Sequence, residues 1–467
     1  IVPGRYRYIV ICIASWVFYG YADPKLLAVL ALISLISWLG GWVIPKSHYK
    51  RSVYALFFLL EIAILGVFKY AGFVVDNLNR LLLKAGASFQ FQPHLSLMLP
   101  VGLSFLIFQT CTYLSDVYRR KMEPEKNLVR YCAFAAFFPT ILSGPIQKAR
   151  KLIPQLAHPA KFDYDQAQKG ILLFVWGLFE KVMVASHLQL ISSTVMANYW
   201  YRSSAELLIA AVSFSLYIYA DFSSYSDMAR GIGKLLGIDV GRNFQNPYLS
   251  TSTSEFWTRW HVSLNDWFVE NVYIPLGGNR KGTVRKYRNM LLVFAISGLW
   301  HGNGVHFLLW GGLHAVYQIV GDCTASIRSG VKRLLGFRPD SKAEILLQRF
   351  LTFILVTLAW ILFRASDLQT GLDMIGSMFT VHNPWILFND SLLCLGLDWR
   401  DWVVLGISIA VLYKASSLQE KVCVRDRILA QPLLVRWSIY ILAIVVILVF
   451  GTYGYGYNAA DFIYGRF

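Results

Sequence analysis

Long apolar runs separated by short loops rich in Lys and Arg recur from one end of the chain to the other. About 20 apolar residues cross a hydrocarbon core. A template of that length matches roughly residues 6–22, 25–45, 53–76, 95–115, 168–187, 205–222, 289–321, 349–365, 401–415 and 433–454. The window 289–321 is long enough to be bent or double. These runs far exceed the alternating strands of a membrane barrel. With no water in the bilayer core to satisfy the backbone, the pattern predicts an all-α polytopic membrane protein with about 10–12 transmembrane helices plus re-entrant or interfacial ones.

Two stretches depart from simple spans. Tyr131–Pro145 is apolar but short, and lies between one basic loop with Arg119, Arg120, Lys121, Lys126 and Arg130 and another with Lys148, Arg150 and Lys151. If both loops stay on the cytoplasmic side, the segment must enter and return. The expected turn is near Leu142-Ser143-Gly144-Pro145, and irregular backbone at that depth implies a protein-lined cavity. Residues 238–288 are the longest stretch without a convincing span, rich in aromatic, charged and turn residues, and read as the functional insert. With no internal repeat or long linker, residues 1–467 count as a single transmembrane domain.

Composition agrees: 56% of the 467 residues are hydrophobic and 15% charged, against roughly 25% charge in soluble domains, and the mean hydropathy is +0.47. The net charge of +17 comes without zinc-finger spacing or an RNP motif. It reads as positive-inside loops meeting anionic membrane lipid, with nucleic acid excluded as a partner. Six scattered cysteines lack metal spacing and read as free, mostly buried thiols. The chain starts at Ile1 and enters a span almost at once, so no cleavable signal peptide is visible.

Ionisable groups inside spans are functional candidates by default. His301, in Ser297-Gly298-Leu299-Trp300-His301-Gly302, lies between two apolar runs. A neutral imidazole there has the chemistry to accept the proton of a hydroxyl attacking a thioester; a helix-packing histidine is the competing reading. His261 sits among Trp257, Arg259, Trp260 and Trp267. On one helix Trp257, His261 and Asn265 would share a face, suited to orienting an acyl donor or to anchoring at the interface. His306 and His314 raise a metal site, but His301 and His306 are five apart with no carboxylate between, so metal is not expected. Glu61 and Lys69, and Glu180 and Lys181, read as pairs or snorkelling ends. Asp221 and Asp227 read as helix caps or partners of Arg230. No Walker loop or Rossmann fingerprint occurs. Coenzyme A phosphates, if bound, would have to meet loop cations, for which Arg280 and Lys281 are candidates.

Phe256-Trp257-Thr258-Arg259-Trp260-His261-Val262-Ser263-Leu264, Tyr273-Ile274-Pro275-Leu276-Gly277-Gly278-Asn279-Arg280 and Gly298-Leu299-Trp300-His301-Gly302 with Trp310-Gly311 together resemble the membrane-bound O-acyltransferase (MBOAT) family. The second run is similar to its bacterial alginate O-acetyltransferase branch. The likeness extends to Phe138-Pro139, Gly144-Pro145-Ile146, Asp221-Phe222-Ser223, Asp227-Met228-Ala229 and the terminal Phe462-Ile463-Tyr464-Gly465-Arg466-Phe467, so it covers almost the whole chain. It implies helices around a central tunnel, His301 as the catalytic residue, and His261 as its partner. Trp257, Arg259, Trp260, Asn265 and Trp300 become tunnel candidates. It implies acetyl-CoA as acyl donor with no bound cofactor, and a bacterial cytoplasmic membrane. An SGNH-type extracytoplasmic transferase would be the partner, a polysaccharide the acceptor, and Tyr464 an acyl relay. The tail has Gly465 where an aromatic residue is more usual. The abrupt start, with the family, suggests a further helix upstream. A D-alanyl-type transferase and a transporter without covalent chemistry remain the alternatives.

Overall fold

The computed structural model describes residues 3–86, 89, 91, 100–158, 160–420, 422–453 and 462, and every regular element among them is helical. In chain order these are α1 (Arg7–Ala22), α2 (Leu26–Lys46), α3 (Lys50–Lys84), α4 (Leu103–Tyr118), α5 (Leu128–Ala135), α6 (Ala149–Ala157), α7 (Tyr164–Phe179), α8 (Ser186–Met196) and α9 (Ser204–Leu235). There follow α10 (Thr253–Arg259), α11 (Val262–Phe268), α12 (Thr283–His301), α13 (Val305–Cys323), α14 (Ala325–Leu334), α15 (Lys342–Arg364), α16 (Leu368–Thr380), α17 (Trp399–Gln419), α18 (Val424–Leu429) and α19 (Leu433–Phe450). Seven described spans are both long and apolar enough to cross a membrane: α2, α3, α7 continued into α8, α9, α15, α17 and α19. The protein is a multi-pass membrane protein. Other expected spans are shorter or more polar: α1 and α4 have 16 residues each, and α13 carries His306, His314 and Gln318. The window 289–321 is indeed double, broken between α12 and α13 at Gly302-Asn303-Gly304.

The bundle centres on α9, which packs against α7, α8, α15 and α16, while α2, α3 and α4 form a neighbouring group and α13 joins α12 to α15. Glycines set the closest approaches. A Cβ on Gly170 would stand 2.7 Å from the Gly231 carbonyl oxygen, and one on Gly231 2.6 Å from that of Gly170, so α7 and α9 touch backbone to backbone. The same device joins α12 to α13, where a Cβ on Gly311 would meet the Phe294 carbonyl oxygen at 2.2 Å. Gly311→Ala is therefore expected to force these helices apart at a cost of about 1–3 kcal/mol. Thermal unfolding in detergent should show the loss. Gly312→Ala, whose Cβ meets nothing within 4 Å, should leave the transition unchanged.

The run between the two basic loops is buried and irregular, as its pattern suggested, but it lines neither of the two cavities described below. After α5 the backbone is irregular and buried through Phe137, Thr140, Ile141 and Ser143. Its polar groups find protein partners: Phe138 N–H donates to Ser15 Oγ (3.1 Å), Ile146 N–H to Ser263 Oγ (2.9 Å), and the Gln147 amide to the Val240 carbonyl (3.0 Å). Both loops return to the end of α4, where Arg119 donates to the Glu270 carbonyl (2.7 Å) and Arg150 pairs with Asp116 and with the Glu270 carboxylate (3.0 Å).

Several pairings differ from the sequence reading. Lys181 pairs with Asp221 (2.6 Å, both buried) instead of Glu180, because the π-helical turn Glu180–Ala185 offsets the two side chains between α7 and α8. Glu180 accepts instead from Ser223 and Trp176. Glu61 accepts from Thr110 (3.0 Å) and is not joined to Lys69. Asp227 does pair with Arg230 (2.5 Å). The cysteines are free, but only Cys111 is buried, since Cys323, Cys394 and Cys423 fall at helix ends and in loops.

Candidate active site

His301 is the last residue of α12, because Gly302 adopts an extended conformation that ends the helix. The side chain is 3% exposed. Its Nδ1 lies 2.7 Å from the Ser297 carbonyl oxygen. A carbonyl only accepts, so Nδ1 carries the proton and Nε2 is the basic nitrogen of the neutral ring. Trp300, Trp310 and Phe363 surround the imidazole edge to face at 4.7, 4.9 and 5.4 Å. His301 lines a cavity of about 460 Å³ together with Lys69, Ser192, Tyr217, Asn303, His306 and Ser366.

The shared helical face expected for Trp257, His261 and Asn265 does not form. α10 stops at Arg259, Trp260 is extended, and His261 takes a left-handed conformation (φ 43°) before α11 begins. Asn243 staples the break: its carbonyl accepts from Val262 N–H (2.9 Å) and its side chain from Ser263 Oγ (2.6 Å). A non-glycine residue in this region is strained and needs such support. The break sends the three side chains apart. Trp257 donates its indole N–H to His314 Nδ1 (3.2 Å). The buried His261 ring packs on Phe105 (6.1 Å), Phe222 (4.7 Å) and Trp300 (6.3 Å). Asn265 is half-buried on α11 and lines neither cavity described here. Trp260 is buried among Phe244, Phe256 and Trp360. Thus His261 and His301, 40 positions apart, both contact the Trp300 indole.

A second cavity, of about 710 Å³, is lined by Arg230, Arg242, Arg259, Arg349 and Arg425 and by Glu180, Asp227, Glu255 and Glu420. Arg259 bonds Glu255 (2.7 Å) and Glu420 (3.1 Å), and Arg230 bonds Asp227. Among the described residues Arg242 and Arg425 have no carboxylate at ion-pair distance. Burial, then repulsion from Arg230 and Arg425, pulls the Arg242 guanidinium below its usual range, a strain that a bound anion would relieve. Arg280 and Lys281 lie in an exposed turn and line neither cavity. The arginines that do were not visible as a motif, since they are scattered from position 230 to 425.

The two cavities adjoin at the middle of α9, where Tyr217 lines one and Tyr219 the other, and diverge along α15. On α15, Arg349 lines one and Phe363 the other, about 21 Å apart at 1.5 Å per residue. Between them runs a continuous aromatic path: Phe244 of the arginine cavity touches Phe222 (4.9 Å), Phe222 touches His261, His261 touches Trp300, and Trp300 touches His301. The arginine cavity faces the end that carries the basic loops, since Asp239, three residues before Arg242, exchanges hydrogen bonds with Gln155 of α6.

That end is tied by Glu270, which pairs with Lys148 (2.7 Å), Arg150 (3.0 Å) and Lys121 (3.7 Å). Burial by itself would raise its carboxyl, but hydrogen bonds and charge from Arg150 and Lys148 hold it down at about 2. A carboxylate depressed below its unfolded value of about 4.3 stabilises the fold above that pH and loses the contribution as pH falls toward the folded value. Glu270→Gln should therefore lower the melting temperature at neutral pH. The gap between variant and parent should close progressively below about pH 4.

A buried imidazole on the wall of one cavity and a cluster of arginines on the wall of another are the two features of the site. The chain belongs to the membrane-bound O-acyltransferase family (MBOAT), whose model matches residues 47–366, and is an acyltransferase. It is 34% identical over 382 residues to a probable alginate O-acetylase of Pseudomonas putida, covering 80% of this chain and 75% of that protein. It is 30% identical over 399 residues to the peptidoglycan O-acetyltransferase of Helicobacter pylori (78% and 72%). It is 27% identical over 233 residues to the teichoic acid D-alanyltransferase of Bacillus subtilis (48% and 59%). Tyr464 lies outside the described residues. Phe462 is described: its ring lies 4.0 Å from Lys181 Nζ and 5.3 Å from the Tyr225 ring.

Proposed function

We propose that the protein takes acetyl groups from cytoplasmic acetyl-CoA and passes them outward for O-acetylation of an extracytoplasmic polysaccharide, in a bacterial cytoplasmic membrane and with an SGNH-type transferase outside. The observation that carries this reading is the pair of cavities joined by the aromatic path, with His301 on the wall of one and, in the other, Arg242 and Arg425, which have no carboxylate partner among the described residues. Coenzyme A is too charged to cross hydrocarbon, whereas an acetyl group is small and neutral. Arg242 and Arg425 meet the donor phosphates, and the thioester reaches inward along the aromatic path. Position by position, basic loops at the arginine end support a cytoplasmic donor side.

At His301 the acceptor hydroxyl gives its proton to Nε2 as its oxygen bonds to the thioester carbon. The C–S bond then breaks, and the thiolate takes the proton back from the imidazolium. Trp300 and His261 hold the site closed to bulk water. The relatives from Pseudomonas and Helicobacter, a probable alginate O-acetylase and a peptidoglycan O-acetyltransferase, favour acetyl over D-alanyl, whose Bacillus relative matches a smaller share of the chain.

Purified protein in lipid nanodiscs with radiolabelled acetyl-CoA tests this. Free coenzyme A and labelled product are expected, with D-alanyl thioesters unreactive. In sealed vesicles, movement of a polysaccharide or small molecule without any coenzyme A release would favour a transporter and defeat the reading. Arg242→Ala with Arg425→Ala should raise the KM for acetyl-CoA about tenfold or more, as expected from losing two charge-assisted contacts, and leave kcat nearly intact.

A further inference from the structure

The last turn of α12 leaves backbone carbonyls that its own helix does not satisfy. Two neighbouring residues of α3 supply the donors: Lys69 Nζ to the Trp300 carbonyl and Tyr70 Oη to the Leu299 carbonyl. Lys69 also lies 6.0 Å from the centre of the Trp300 ring. Its placement is unusual for a simple cap. Lys69 sits within an apolar span of α3 and lines the same 460 Å³ cavity as His301. An ammonium has three donors. One serves Trp300, and the cavity is the open side available to the others.

We infer that Lys69 is a second catalytic group of the His301 cavity, a fixed ammonium that stabilises the negative oxygen formed when the thioester is attacked. This rests on the acyl-transfer reading above. As the acceptor oxygen bonds to the carbonyl carbon, the carbonyl π electrons move to oxygen, and that oxygen receives hydrogen bonds from Lys69. When the carbonyl re-forms, the C–S electrons leave with sulfur, which takes its proton from His301. No further reagent is needed. The negative end of the α12 dipole and the Trp300 carbonyl hold the cation in place before reaction, so little reorganisation is required at the moment of charge development.

The alternative is that Lys69 only caps α12, and three substitutions separate the two roles. Lys69→Gln keeps an N–H for the Trp300 carbonyl but has no charge, Lys69→Arg keeps the charge, and Tyr70→Phe removes the neighbouring cap alone. In the nanodisc assay, Lys69→Gln is expected to lower kcat about 100-fold, the scale of one lost oxyanion donor, with the KM for acetyl-CoA within threefold of the parent. Lys69→Arg should recover at least a tenth of parental kcat, and Tyr70→Phe should stay within fivefold of it. Near-parental kcat in Lys69→Gln, or equal losses in Lys69→Gln and Tyr70→Phe, would overturn the inference while leaving the acyltransferase reading intact. A parent that releases no coenzyme A, like its His301→Ala variant, would overturn both.

Discussion

Acetyl transfer by a His301→Ala variant is expected to fall by about 10²–10⁴-fold, the contribution of a positioned general base. The expectation follows from the tautomer: with Nδ1 donating to the Ser297 carbonyl, Nε2 is the basic nitrogen, and His301 lines the cavity. The loss should fall on kcat, since the arginine cavity proposed to hold the donor lies at the far end of α15 and keeps all its lining residues. Melting temperature should change little beyond the packing of one ring against Trp300, Trp310 and Phe363. His301→Gln, which keeps volume and polarity, should be as inactive as the alanine variant. Retention of a tenth of parental kcat in either would remove His301 from the chemistry.

Tyr464→Phe is expected to abolish delivery of acetyl to an external acceptor while coenzyme A release continues slowly through water. Intact-protein mass spectrometry after incubation with acetyl-CoA should find one acetyl group on the parent, mapped to the peptide holding Tyr464. The mark should be absent in Tyr464→Phe and in His301→Ala. Support comes from Phe462, two positions upstream, whose ring lies against Lys181 and Tyr225 among the buried groups of α9 and the π-helical turn. The phenol of a tyrosine forms an ester energetic enough to pass its acyl group on to a sugar hydroxyl, which makes a relay chemically coherent. Acetyl persisting in the His301→Ala variant, or appearing on a different side chain, would defeat the relay.

Both His301 and the two-helix character of 289–321 were legible because their signals are local: an ionisable residue between apolar runs, and Gly302 and Gly304 where a helix must end. The buried irregular segment after α5 was legible for the same reason, from two basic loops too close together for a full crossing. The face expected for Trp257, His261 and Asn265 failed because 3.6-residue periodicity assumes an unbroken helix. The left-handed His261 is stabilised by Asn243, which only the fold brings beside it. Lys69 was read as a partner of Glu61 or a snorkelling end, for want of any sign in α3 that the last turn of α12 would need its ammonium.

Apolar run lengths and charge distribution were enough to establish a helical membrane protein, because burial in lipid constrains every stretch of chain independently of its neighbours; the acyltransferase class came from the resemblance of its ordered motifs to the membrane-bound O-acyltransferase family. Which imidazole nitrogen is basic, which arginines face a common space, and how Phe222, His261 and Trp300 line up between two cavities were decided only when the helices packed. Those properties depend on distances between residues far apart in sequence, and no local periodicity encodes them.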